Sequence, residues 1–193
     1  MKEHGVNRLS IGWQTTHNEI LKDIGRKHTY EQALDAFKRA RDFGFNNINI
    51  DIIAGLPGIN KTDFLKDLEK VVETRPEHLS IYSLTVHEHT AFFQRKIKEP
   101  SQDEARDLYD IAHDFLKRNA YEHYEVSNWA LNKKYAMHNL TYWKNNEYYG
   151  VGLSASGFIN HVRYTNTFKM AEYLKGNYID SSEPQSEEDE KES

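Results

Sequence analysis

The sequence predicts an α/β fold in which mainly parallel strands carry helices on their outer side. Three observations support this. Four short segments rich in β-branched or aromatic residues stand out, at Arg8–Trp13, Ile48–Ile53, Leu79–Leu84 and Glu122–Ser127, as strands require. Between them, apolar residues recur at helical spacing. The strand starts lie roughly 30 to 45 residues apart, which fits strand–helix crossovers to parallel neighbours.

The helices are punctuated in order. Thr16-x-x-Glu19 reads as a capping box ahead of Ile20, Leu21 and Ile24, with Gly25 as the stop. Thr29-x-x-Gln32 opens the next helix, whose Ala33, Leu34, Phe37 and Ala40 share one face before Gly44 ends it. Thr62 precedes Phe64, Leu65, Leu68, Val71 and Val72, with Pro76 beyond them. Ser101-x-x-Glu104 precedes Ala105, Leu108, Ile111, Ala112, Phe115 and Leu116.

The strands are two-faced. In "NINIDIIAGLPG" three isoleucines alternate with Asn49 and Asp51 before the chain breaks into a Gly-Leu-Pro-Gly turn. Strands covered on both sides normally read as continuously apolar. Leu9, Ile11 and Trp13 likewise oppose Ser10, Gly12 and Gln14, and Leu79 and Ile81 oppose Ser80 and Tyr82. In the fourth strand Tyr124 and Val126 are expected toward the helices, with His123, Glu125 and Ser127 opposite. A small or polar inner face suits a wet lumen holding a sizeable polar ligand, because a closed barrel fills its interior with branched apolar side chains. Four strands cannot close a barrel. The open edges predict part of a longer barrel, and they favour association, a homodimer included.

Composition bounds the rest. The chain has 193 residues, a net charge of −5 and no cysteine. Residues 180–193, "DSSEPQSEEDEKES", hold seven acids and one lysine, which leaves about +1 for residues 1–179. No basic face for nucleic acid is expected. The segment 180–193 reads as a disordered acidic linker after one domain over 1–179. No run is apolar enough to span a membrane, and "MKEHGVNRLS" has no signal-peptide core, so the expected location is the cytoplasm.

Three polar residues fall together on this reading. Gln14 ends the first strand, Asp51 lies in the second, and Arg26 follows the first helix. Asp51 suits hydroxyls or an ammonium group, Gln14 reads donors and acceptors, and Arg26 suits a carboxylate. The same residues also suit an internal Asp51–Arg26 ion pair that pins a loop. Gly55, in the turn, lets the backbone pass close to a flat ligand, or simply makes the turn. His87 and His89 form an H-x-H pair without a third ligand nearby, so no metal site is expected. Among the other histidines, His123 is the one placed toward the lumen.

In order, "NRLSIGWQ", "IGRKHT", "NINIDIIAGLPG", "HLSIYSL", "YEVSNWA" and "HNLTYW" resemble segments of the oxygen-independent coproporphyrinogen III oxidase-like proteins of the radical S-adenosylmethionine (SAM) superfamily. The resemblance covers roughly residues 5–175. It implies the C-terminal portion of a partial (β/α)6 TIM-like barrel, with a smaller domain beyond. It also implies that Gln14 and Asp51 lie near the ribose of SAM, Arg26 near its methionine carboxylate and Gly55 near its adenine. The family's [4Fe–4S] cluster is held by a CxxxCxxC motif, which this chain lacks; the motif is expected before Met1, in the full-length protein only. The 193 residues by themselves are expected to be inactive, with no catalytic residue assigned among them.

"HNLTYW" followed by "YYGVGLSASGF" is similar to the heme-chaperone (HemW) branch, whose members bind heme and pass it to acceptor proteins. That branch typically has "GAHS" where this chain has "SASG" at 154–157. The resemblance makes His138 and Tyr142 the candidate heme ligands, imidazole and phenolate both being known to ligate heme iron. The residues by themselves fit His138 and Asn139 satisfying backbone groups in a loop while the aromatics form core; the resemblance is what brings in heme. Two other readings stay open: a true oxidase decarboxylating coproporphyrinogen III to protoporphyrinogen IX, and a structural segment without activity.

Overall fold

The computed structural model describes residues 2–185. The chain divides into two compact units, Met1–Tyr135 and Ala136–Ser193, where the sequence predicts one unit over 1–179.

In the first unit a five-stranded sheet holds β1 (Leu9–Gln14), β2 (Ile48–Ala54), β3 (His78–Ser83), β4 (Glu122–Glu125) and β5 (Asn128–Ala130) in the order β1-β2-β3-β5-β4. β1, β2 and β3 pair in parallel. β5 runs antiparallel to both β3 and β4, so β4 keeps the direction of the first three. The predicted fourth strand therefore folds as a hairpin, and its return arm inserts beside β3. The sheet is mainly parallel and does not close.

Five helices, α1 (Asn18–Asp23), α2 (Tyr30–Asp42), α3 (Lys61–Glu73), α4 (Ala91–Gln94) and α5 (Gln102–Arg118), belong to this unit. The Thr29/Gln32 and Ser101/Glu104 capping boxes both form, satisfying backbone N–H groups that the first turn leaves open. Gly25 and Gly44 leave α1 and α2 in left-handed geometry, at φ 76° and 79°. The third start shifts: Asn60 Oδ1, not Thr62, accepts from Asp63 N at 3.0 Å. The Thr16/Glu19 box does not form, because Thr16 is drawn to Asp67 on α3 and His17 takes the cap position without a side-chain bond. The core lies between sheet and helices, where Ile48, Ile50, Ile52, Phe64, Leu68, Leu79 and Leu116 are fully buried. Trp13 meets Tyr30 and Phe37 edge-on, at 5.4 and 6.3 Å between ring centres.

The second unit carries α6 (Met137–Trp143), α7 (Met170–Leu174) and an antiparallel sheet of β6 (Ser156–Ile159), β7 (Val162–Asn166) and β8 (Ile179–Pro184). β6 and β7 are joined through Asn160 and His161, both at positive φ, the geometry of a two-residue hairpin turn. β8 corrects the linker expected over 180–193. All six of its side chains are exposed, so its composition is that of a linker while its backbone pairs with β7. Residues 186–193 of that expected linker lie outside the described residues.

Candidate functional site

The polar face of the first sheet is a connected network. Asn49 Nδ2 donates to Ser10 Oγ at 2.5 Å and to Asp51 Oδ1 at 2.6 Å. Ser10 Oγ donates to Asp51 Oδ2 at 3.2 Å. Asn49 Oδ1 accepts from Ser80 Oγ at 3.1 Å and from His78 Nδ1 at 2.7 Å. With that proton on Nδ1, Nε2 of His78 accepts from the Tyr124 hydroxyl at 2.6 Å. Asn49, His78 and Ser80 are buried, and each makes the hydrogen bonds that burial demands. Burial pushes the His78 imidazole down to about 3, with the Arg8 guanidinium adding to the shift, so His78 is neutral near pH 7. Desolvation lowers Arg8 as well, opposed by Tyr124, Asp51 and Tyr82.

This network aims Asp51. Each carboxylate oxygen is held by one or two short-range donors, leaving lone pairs for a ligand's hydroxyls. Gln14 shares the face. Its strand neighbour Gly12 pairs with Asp51, and a Cβ on Gly12 would collide with the Gln14 amide, so that amide folds back over Gly12. Arg26 is exposed and borders a cavity of about 310 Å³ whose lining includes Ile24, Ile53, Leu56 and Leu84. Ile53 follows Asp51 by two residues and so shares its face. Among the described residues no ion pair joins Asp51 to Arg26, and the internal-pair reading is not what forms. Gly55 has φ 81°, and the atom nearest its missing Cβ is Pro100 Cγ at 2.8 Å. The close approach there is to the chain's own Pro100.

In the second unit His138 and Tyr142 sit one turn apart on α6, with Tyr142 OH and His138 Nε2 2.7 Å apart. Tyr142 also meets Tyr148 edge-on at 4.6 Å. Tyr142 is 46% and Trp143 54% exposed, so the aromatics face solvent instead of forming a core. The two side chains are thus engaged with each other.

His123 corrects the sequence reading. It stacks on Trp129 at 4.6 Å and meets Tyr109 and His113 of α5, on the helix side of the sheet. Tyr124 takes the polar face in its place. Alternation separates two faces without saying which is inner, and here the aromatic cluster on α5 decides. His78 was missed because it stands one residue before the predicted third strand, although its spacing from Ser80 already put both on one face. Among the described residues no group of three His, Asp or Glu side chains is placed to hold a metal ion. Nor is any described helix long and apolar enough to cross a membrane.

Residues 1–71 match the Radical SAM superfamily. The heme chaperone HemW of Lactococcus lactis is 42% identical over 179 residues, covering 91% of this chain and 47% of that protein. The chain fits a HemW-like fragment of the radical SAM superfamily. The HemW of Escherichia coli is 35% identical over 182 residues, covering 92% of the HemW-like chain and 48% of its own. Coproporphyrinogen III oxidase (HemN) from Escherichia coli, a radical SAM enzyme, superposes with a TM-score of 0.81 at 23% identity, over 97% of this chain and 48% of that one. That likeness establishes the fold. The HemW-like chain spans about half the length of the curated relatives it matches.

Proposed function

We propose that this chain supplies the SAM-holding part of a heme-handling protein of the HemW kind. The supporting observation is the shared face of Gln14 and Asp51, with Asp51 oriented by Asn49 and Ser10. On this reading Asp51 and Gln14 take the ribose hydroxyls, and Arg26, at the rim of the 310 Å³ cavity, takes the methionine carboxylate as a charge-assisted fork. The turn at Gly55 runs beside the adenine. The chain has no cysteine, and iron–sulfur clusters are held by thiolates, so its own residues do not fit a [4Fe–4S] cluster. The names of its relatives support heme as the cargo, with His138 or Tyr142 as the contact and an acceptor protein as the destination. The oxidase neighbour shares the fold and carries no activity to this chain.

Two titrations test the reading. Equilibrium dialysis of the chain with radiolabelled SAM should give weak, saturable binding that Asp51→Ala abolishes. Binding unchanged by Asp51→Ala would overturn the SAM assignment. Heme titration should produce a Soret shift that depends on α6, and a shift indifferent to His138 and Tyr142 would overturn the heme assignment.

A further inference from the structure

Gln14 holds a backbone conformation that few residues with a side chain adopt. Its φ is 68°, and Thr15 N donates to Trp13 O at 2.8 Å. Residues 13–15 therefore form a γ-turn with positive φ at its centre, the rare and strained form. The ladder slips at the same place, with Gly12 opposite Asp51 and Gln14 opposite Ile52. Gln14 is 7% exposed, yet among the described residues its side chain makes no hydrogen bond. Strain of this kind persists only where the surroundings over-determine it, and it gathers at functional sites.

Two neighbours over-determine it. Asp67 of α3 is 1% exposed. Its carboxylate accepts from Thr15 Oγ1 at 2.7 Å, Thr16 N at 2.8 Å and Thr16 Oγ1 at 2.6 Å. Lys70 Nζ adds a bond to Thr16 Oγ1 at 3.1 Å. The two residues after Gln14 are thus tied to a helix that the core holds fast. On the other side, Gly12 supplies the space that the Gln14 amide fills, with Gln14 Cδ 3.6 Å from where a Cβ would stand.

We infer that Asp67 and Gly12 are positioning residues for Gln14, holding its amide on the Asp51 face before any ligand arrives. This rests on the SAM reading of Gln14 for its purpose, though not for its geometry. A side chain preset in this way loses less freedom when it binds, and the strain is offset by three charge-assisted bonds elsewhere.

The test uses the 193-residue chain with Gly12→Ala, Asp67→Asn, Gln14→Ala and the Gly12→Ala/Gln14→Ala pair, folding being checked by circular dichroism. Nuclear magnetic resonance of the Gln14 side-chain NH₂ reads positioning without any ligand. The wild-type signals should stand apart from those of exposed glutamines, and Gly12→Ala and Asp67→Asn should move them to the exposed values. Dialysis with SAM reads the purpose. Gln14→Ala should weaken binding roughly tenfold, the worth of one good hydrogen bond. Gly12→Ala should weaken it alike alone and add nothing in the Gln14→Ala background. Unmoved Gln14 signals in the folded variants, or a Gly12→Ala loss that is equal in both backgrounds, overturns the inference. If the signals move but Gln14→Ala leaves SAM affinity intact, positioning stands and the cofactor reading of Gln14 falls. Should Asp67→Asn fail to fold, Thr15→Val removes one of the three donors and carries the same test.

Discussion

His78 and Asn49 are joined at 2.7 Å, Nδ1 to Oδ1, and through that bond a buried imidazole fixes which way an amide faces. Asn49 in turn directs its NH₂ at Asp51. A rotated Asn49 would present its oxygen to the carboxylate, and the like-signed dipoles would push Asp51 aside.

The first prediction concerns acid. The folded His78 titrates at about 3 against an ordinary 6.5, so below pH 6.5 the unfolded chain binds the extra proton. Stability is full above 6.5 and is lost as pH falls toward 3. Between pH 7 and 4.5 the loss from this group is about 2.5 kcal/mol. Urea melts at the two pH values should show a smaller drop in His78→Gln than in the wild type. Equal drops would show that His78 is not the responsible group.

Gly55→Ala should destabilise the first unit. The φ of 81° and the 2.8 Å approach of Pro100 Cγ both oppose a methyl group. A cost of about 2 kcal/mol is expected, from left-handed strain plus overpacking, read as a lower thermal midpoint. A midpoint at or above the wild type would mean that the Pro100 loop moves aside freely.

Phe64 of α3 is fully buried against the sheet. Phe64→Ala should remove about 3 to 5 kcal/mol and loosen the anchor beneath Asp67. Hydrogen exchange should quicken at residues 13–17 along with α3, and protection retained there would show the γ-turn to be independent of that helix.

On α6, the 2.7 Å bond between His138 Nε2 and Tyr142 OH makes the two substitutions unequal. If His138 is the ligand, His138→Ala should erase the Soret shift, whereas Tyr142→Phe should retain it with altered ligand-field bands. The reverse pattern in a heme titration would assign the phenolate.

Legibility in the sequence followed burial. Ile48, Ile50 and Ile52 announced β2 and its outer face, and Thr29/Gln32 and Ser101/Glu104 announced their helix starts, because local chemistry decides both. Gln14 and Asp51 could be placed on one face by counting residues. The Gln14 γ-turn could not, since a positive φ at glutamine has no signature in sequence and depends on Asp67, which lies far along the chain. β5 spans three residues, too few for any period to register. β6 and β7 span only four and five residues, and Ile179–Pro184 buries no side chain, so none of the three carries a clear two-faced pattern.

That last strand has a consequence for solution behaviour. Among the described residues β8 is bonded on one flank only, which would ordinarily invite a stray chain to add itself there. Asp180, Glu183 and Pro184 act as gatekeepers: two carboxylates repel a copy of the same strand, and the proline withholds a donor. Acidity in this stretch thus sets like charge against edge-to-edge pairing of two copies of β8.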